Sequence, residues 1–411
     1  MPNQRRILIL RAGFLQQFLC KRAKELGLYV MALDGDADSE GFAYADKTGI
    51  IRVADEDACL QFARENQPDG VVTAANDFGI ISMSRIAEEQ HLPGVNVETA
   101  KIIKNKAKVR KALYEAHVDD SDCFYEITET ASLEEIKALV RYPLMVKPSD
   151  GSGSRGVSKA TSFEELQMAC ENALAESDSH SAVIETFVEG REYGVESFVD
   201  NDIHVLAVMQ KDMTKPPYFA ELGHASESGL PTAVEERVKE CVKKAIKALN
   251  INFGCVNMDV IVTETGSVHI IDIGVRMGGN LIGSHLIPMG TGIDYMGNII
   301  KATLGEKVSW EPTMVHKPTA TRLIVLTPGK IESLPDIEEM ERKYDVEIVH
   351  HLSEGATIRE YHANRDGFGY IVAQGETIEE AKAKAKTVLQ VIDNMIIDKN
   401  TPPPFRLFTG K

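Results

Sequence analysis

Over its first hundred residues the chain alternates apolar runs with stretches of helical period, and few folds accept that order. RRILILRAG reads as a buried strand ending at Gly13, and residues 14–26 follow with helical spacing. LYVMALD (28–34) is a second strand, closing on Asp34, and GVVTAAND (70–77) a third. Near-continuous apolar strands separated by helices predict a doubly wound parallel sheet. The turn after the first strand, Arg11-Ala12-Gly13-Phe14, lacks G-x-G-x-x-G, so Asp34 loses its reading as a ribose ligand. This part is expected to be a platform that shapes one wall of a cleft.

The remaining length needs more than one core: 411 residues imply two or three domains. Hydrophobic residues at 43% and charged residues at 26% describe a soluble globular protein. A formal charge of -17 argues against a nucleic-acid or membrane-surface partner. No apolar run approaches the roughly 20 residues that cross a bilayer. MPNQRRILIL passes directly into the first strand and reads as the start of a fold, not a signal peptide. The six cysteines are scattered without a C-x-x-C pair, as small buried hydrophobes in a reducing compartment would be. The expected location is the cytoplasm.

NKAKVRKALYEAHV (105–118) is a basic amphipathic helix that opens a new unit after the Pro/Gly/Asn stretch at 93–96. A strand–loop–strand follows around 143–162, with helical windows at 162–176 and 233–249. Strands are expected near 182–188, 194–199, 203–209, 256–263 and 268–274. From about 310, TATRLIVLT, a Pro-Gly turn, DGFGYIVAQG and a helix over 377–393 suggest a small α+β unit, with TPPPFRL as an extended tail.

Three segments carry chemistry. In YPLMVKPSDGSGSRG (142–156) an apolar run ends on Lys147, and a loop of glycine and serine follows (Gly151, Ser152, Gly153, Ser154, Gly156). Exposed backbone N–H groups in such a loop can wrap a phosphate chain, and the lysine adds a point charge. The spacing is not that of a P-loop, and a flexible hairpin tip is the plain alternative. In VIETFVEGREYGVESFVD (183–200), Glu185 and Glu192 flank Phe187 and Val188. An apolar slot with polar ends suits an adenine and its ribose, although ordinary surface glutamates on a hairpin explain the segment equally well. In NMDVIVTETGSVHIIDIGVRMGGN (257–280), Asp259 and Asp272 lie on neighbouring strands, where two buried carboxylates would repel without a cation between them. Oxygen ligands combined with phosphate specify magnesium. Arg276 could face a phosphoryl group or a substrate carboxylate, or simply pair with an aspartate.

In order along residues 1–400, these segments resemble the ATP-grasp superfamily: the α/β platform, Lys106, Lys147 before its glycine-rich loop, E-x-F-V-x-G-x-E-Y, and D…D-x-G-x-R-x-G-G. The resemblance implies an α/β protein, α+β in its nucleotide-binding part. Its domains would be an N-terminal doubly wound unit (1–102), an ATP-grasp domain (103–310) with a lid over 107–190, and a small C-terminal α+β domain (311–411). It implies that Lys106 and Lys147 hold ATP phosphates, Glu185 and Val188 adenine, and Glu192 ribose. It gives Asp259 and Asp272 to magnesium, with manganese as a substitute, and Arg276 to an acyl-phosphate transition state. One branch, the ligases that join L-amino acids or condense a carboxylate with an amine, carries an E-x-x-H pair over the acyl-phosphate site. Glu221 and His224 match it, and His285 is a weaker candidate.

Two departures stand out. The usual E-x-N-x-R is here Asp272-Ile273-Gly274-Val275-Arg276. The asparagine that assists a second metal is absent, and aspartate shortens the reach. One or two ions therefore stay open, with water, Asn257, Asn280 or Glu221 as substitute ligands. The implied reaction forms an amide from a small carboxylate and an amine, releasing ADP and phosphate, behind a loop at 150–156 that excludes water. The rivals are a purine-pathway or biotin-carboxylase-like enzyme activating bicarbonate or formate, and a nucleotide-binding regulatory protein without turnover. Related ligases are often homodimers, and the sequence names neither the oligomeric state nor the two substrates.

Overall fold

The computed structural model describes residues 4–121, 123–151, 155–214 and 220–396. The tail segment TPPPFRL lies outside them.

The first four strands, β1 (Arg6–Leu10), β2 (Tyr29–Asp34), β3 (Lys47–Ile50) and β4 (Gly70–Thr73), form a parallel sheet in the order β3-β2-β1-β4. Side chains alternate across it: Ile7 and Ile9 enter one hydrophobic cluster, Leu8 and Leu10 another. The sheet is thus buried on both faces, as the near-continuous apolar runs require. β3 is the strand that pattern reading passes over, because Lys-Thr-Gly-Ile is short, mostly exposed and lies at the sheet edge. Past β4, Ala74 bridges to Met277, and the Ala75 N–H donates to the Met277 carbonyl at 2.9 Å. That tie fastens the platform to the chain beyond residue 274.

The helix Lys106–Glu115 begins after Asn105, whose side chain accepts from the Lys108 N–H at 2.9 Å. Its first residue also donates its backbone N–H to the Ser149 carbonyl at 2.6 Å. Four strands follow as an antiparallel sheet in the order β5-β8-β6-β7: β5 (Phe124–Ile127), β6 (Leu144–Pro148), β7 (Ser158–Ala160) and β8 (Ala182–Thr186). The helix Phe163–Glu176, capped by Ser162, turns Leu166, Ala169, Cys170 and Ala173 onto Val146 and Ile184 of that sheet.

The third sheet has eight antiparallel strands. It contains β9 (Arg191–Val199), β10 (Ile203–Met213), β11 (Glu221–Ala225), β12 (Gly254–Val262), β13 (Val268–Gly274) and β14 (Thr319–Leu323). After a short pair, β15 (Gly329–Lys330) with β17 (Thr357–Ile358), it is completed by β16 (Val346–His350) and β18 (Gly369–Gln374). The order is β13-β12-β9-β10-β11-β14-β18-β16. β10 runs to Met213, past the end of its apolar run at 209, because Gln210, Lys211 and Asp212 pair with β11. The segment after 310 buries its own cluster, including Ile324, Ile348, Ile371 and Val388. Yet β14, β16 and β18 continue the central sheet, so this segment adds its strands to an existing edge.

Among the described residues no helix is long and apolar enough to cross a membrane. All six cysteines are free, and five are buried.

Candidate active site

A cleft of about 1400 Å³ opens where the three sheets meet. Its walls include Lys106, Lys147, Gly151, Glu185, Phe187, Val188, Glu192, Glu221, His224, Asp259, Asp272 and Arg276, every one nominated from sequence. Ser152, Gly153 and Ser154 lie outside the described residues. Gly156 stands off the wall. It adopts φ +68, and a β-carbon there would meet Pro148 and Glu176 at 2.8–3.0 Å, so the glycine serves the turn.

At one end cations cluster. Lys147, the fourth residue of β6, donates to Glu185 Oε2 at 2.9 Å and to the Ile271 carbonyl at 3.3 Å. Arg110 Nε reaches Glu185 Oε1 at 3.4 Å, while its Nη1 holds Asp119 at 2.9 Å. Burial pushes the Glu185 carboxyl up, but Lys147 and Arg110 outweigh it and hold the pKa below the usual carboxylate range. Lys106 pairs with Asp272. Burial pulls its ammonium down, and Asp272 more than offsets that. Glu185, expected at adenine, is here the counter-charge of Lys147. Beside it Phe187 and Val188 join Met145, Met213 and Ile261 as the apolar part of the wall. The Lys159 ammonium lies 3.8 Å from the Phe187 ring centre.

The cleft centre is acidic and carries one buried lysine. Lys211 Nζ lies 2.8 Å from Glu221 Oε1, 2.9 Å from Asp259 Oδ1 and 3.6 Å from Glu192 Oε2, with its side chain 2% exposed. Burial lowers an ammonium pKa, but Asp259, Glu221 and Glu192 raise this one well above its ordinary value. Burial in turn raises the Glu192 and Asp259 carboxyls. Glu221 is held low despite burial by Lys211, and its carboxylate also accepts from Asn280 and, at 2.7 Å, from Asn364. His224 sits opposite Lys211 in the β10–β11 register. Burial pushes its pKa down to about 4, so the ring is neutral near pH 7, and Nδ1 is buried without a hydrogen-bond partner. His285 binds Ser284 and Glu347 and takes no part in the cleft wall.

Asp259 and Asp272 are direct partners across β12 and β13. Only Asp259 is substantially enclosed; the Asp272 side chain is 54% exposed, contrary to the expectation of two buried carboxylates. Among the described residues no three His, Cys, Asp or Glu side chains are arranged to hold a metal. Magnesium characteristically takes one or two carboxylates and completes its shell with phosphate and water, so this opposed pair fits it.

Arg276 reaches the platform. Its Nε donates to Asp77 Oδ1 at 2.8 Å and its Nη1 to Asn257 Oδ1 at 3.2 Å, whereas Nη2 has only a 3.5 Å contact to Asp77 Oδ2. Burial disfavours the guanidinium charge, but Asp77 outweighs it and the pKa rises. Asn257 donates in turn to Glu196, a wholly buried carboxylate that also accepts from the Tyr295 hydroxyl at 2.7 Å and the Gly278 N–H at 3.0 Å. These bonds fix the loop after β13.

Sequence reading missed Arg110, Lys211 and Asp77. Arg110 was within reach of it, standing four residues beyond Lys106 and hence on the same helix face. Asp77 follows the carboxyl end of a parallel strand, where open α/β sheets bind ligands. Lys211 gave no signal, because its strand was taken to end at 209.

An ATP-grasp domain description matches residues 140–284, and an L-amino acid ligase C-terminal domain 2 description matches residues 322–393. The chain is 24% identical over 404 residues to the formate-dependent phosphoribosylglycinamide formyltransferase of Ignicoccus hospitalis, covering 93% of this chain and 94% of that protein. Phosphoribosylglycinamide synthetase from Anaerococcus prevotii superposes with a TM-score of 0.77 at 26% identity, over 95% of this chain and 98% of that one. L-amino acid ligase from Bacillus licheniformis superposes with a TM-score of 0.80 at 23% identity, over 94% and 98%.

Proposed function

We propose that the chain, which matches an ATP-grasp domain over residues 140–284 and an L-amino acid ligase C-terminal domain over residues 322–393, joins the carboxylate of an amino acid or other small acid to an amine, through an acyl phosphate. The observation that carries this reading is the cleft itself. Two lysines, two opposed carboxylates and a partly uncommitted guanidinium face one space.

Lys106 and Lys147 hold the phosphates, exchanging Asp272 and Glu185 for phosphate oxygens. Phe187 and Val188 take the adenine, and Glu192 the ribose. When bound between Asp259 and Asp272, magnesium neutralises phosphate charge; manganese is expected to replace it. A substrate carboxylate oxygen attacks the γ-phosphorus, the bond to the bridging oxygen breaks, and ADP leaves. Arg276 offers Nη2 to the carboxylate and the transferring phosphoryl group, while Asp77 and Asn257 fix its plane. The amine then attacks the acyl carbon and phosphate departs. His224, neutral and with a free Nδ1, accepts the amine proton, and Glu221 orients the groups around it.

The match at 322–393 favours the amino acid ligase branch. The formate-dependent relative supports a second reading, in which the acid is as small as formate. The proposed division of labour gives residues 1–102 to the platform, 103–310 to the nucleotide and 311–411 to closing the cleft, in a cytoplasmic protein that pairs as a homodimer.

Hydroxylamine tests the proposal directly, because it traps acyl phosphates as hydroxamates. Incubation with ATP, magnesium and a panel of amino and carboxylic acids should yield ADP and a hydroxamate with at least one acid. ADP formation from a productive acid without hydroxamate would refute the acyl phosphate.

A further inference from the structure

The cleft holds one cation that no phosphate is needed to explain. Lys106 has a half-exposed partner, and Lys147 shares its glutamate with Arg110, so each can turn to a nucleotide. Lys211 cannot. Its ammonium is enclosed by Glu192, Glu221 and Asp259 together, and its backbone is locked in register between β9 and β11. Moving it away would leave three carboxylates crowded without a counter-charge.

Position 274 bears on the same point from the other side. A β-carbon on Gly274 would stand 3.3 Å from Arg276 Cζ and 3.4 Å from both Arg276 Nε and Asp77 Oδ1. An asparagine there would press on the Arg276–Asp77 pair. The position therefore offers no ligand to a second metal ion, and Asp259, the carboxylate such an ion would share, already holds an ammonium at 2.9 Å. The single magnesium ion of the reading above draws on Asp272 and on the Asp259 oxygen that the ammonium does not hold, whereas a second divalent ion would have to share Oδ1 with the ammonium and would meet a like charge at contact range.

We propose that Lys211 is the fixed cation of this site, standing where a second metal ion would stand and balancing Glu192, Glu221 and Asp259, so that the nucleotide brings one magnesium ion and not two. The inference rests on the ligase reading above. Lys211 is a positioning group for Asp259 and Glu221 and the counter-charge of the three carboxylates around it. With one divalent ion the site keeps a fixed charge that dilution of metal cannot remove.

Counting bound ions tests this without turnover. Wild-type protein is titrated with manganese in the presence of a β,γ-non-hydrolysable ATP analogue, and free manganese is read by electron paramagnetic resonance. One ion per bound nucleotide is expected for wild type and for Lys211→Arg. Lys211→Ala uncovers the three carboxylates, and its count should rise to two. Two ions in the wild-type protein, or a wild-type count of one that Lys211→Ala leaves unchanged, would overturn the inference. A protein that binds no nucleotide at all removes the ligase reading and this inference with it, whereas nucleotide bound with two ions removes this inference alone.

Discussion

Replacing Lys147 by alanine separates the nucleotide role of this residue from its structural one, and the structure sets both magnitudes. The Lys147 and Glu185 side chains are 11% and 13% exposed, and they meet at 2.9 Å. Stripping a buried ion of its only partner costs about 3–5 kcal/mol. Glu185 is not stripped, because Arg110 stays at 3.4 Å. The loss should therefore approach that of one hydrogen bond to a charged group, about 1.5–3 kcal/mol. Adding Glu185→Gln to Lys147→Ala removes the unbalanced charge, so the double variant should be less destabilised than the sum of its parts. Arg110 tolerates this because Asp119 still holds it at 2.9 Å. In calorimetry with ATP analogue, the single variant should lose a charge-assisted phosphate contact, roughly 10- to 150-fold in affinity. Affinity within about threefold of wild type (a difference of ~0.7 kcal/mol) would refute the phosphate role. Strict additivity in urea unfolding would refute the pairing with Glu185.

Arg276→Lys should bind nucleotide within a few fold of wild type yet lose on the order of 10²–10³ in turnover, since a point charge cannot present two parallel donors; unchanged turnover with weakened ADP binding would move Arg276 to the nucleotide pocket. Asp272→Asn should change stability by about 1 kcal/mol or less, because the Asp272 carboxylate in its pair with Lys106 is 54% exposed, while raising the magnesium concentration needed for half-maximal turnover. Burial raises the Glu196 carboxyl to about 7 from its ordinary 4.5. The folded state then binds the extra proton between those values, so stability should fall as pH rises from about 4.5 to 7 and level off above. Glu196→Gln should flatten that slope in urea unfolding at pH 5 and pH 7.5; an unchanged slope would assign it elsewhere.

The parts of the fold that were legible in the chain are those that one-dimensional patterns encode. β1, β2 and β4 are apolar on both faces, and the helices 106–115, 163–176 and 232–248 carry their period in plain view. The edge strand β3 is polar and escaped notice. The membership of β14, β16 and β18 in the central sheet depends on long-range pairing that no local pattern records. At the site, nominated residues such as Lys147, Glu192, Asp259 and Arg276 converge on the cleft because motif spacing carries them to strand ends and turns. Their partners were not legible. Asp77 meets Arg276 from 199 residues away, and Lys211 meets Glu192 from the adjacent strand and Asp259 from two strands away. Glu185 shows the same gap: it lies on the cleft wall, while its pairing with Lys147 and Arg110 follows only from the packing of β6, β8 and the helix at 106–115.

The central claim, amide formation from a carboxylate and an amine at the expense of ATP, is tested most directly by stoichiometry. Purified protein is incubated with Mg·ATP and a matrix of amino acids, small carboxylic acids and amines, and ADP, phosphate and amide are measured together. The account predicts that productive pairs release one ADP and one phosphate per amide, that either substrate alone gives little turnover, and that Arg276→Lys abolishes most of the signal. Phosphate release that requires bicarbonate and no amine would contradict the account. So would tight nucleotide binding with no ADP released across the whole matrix.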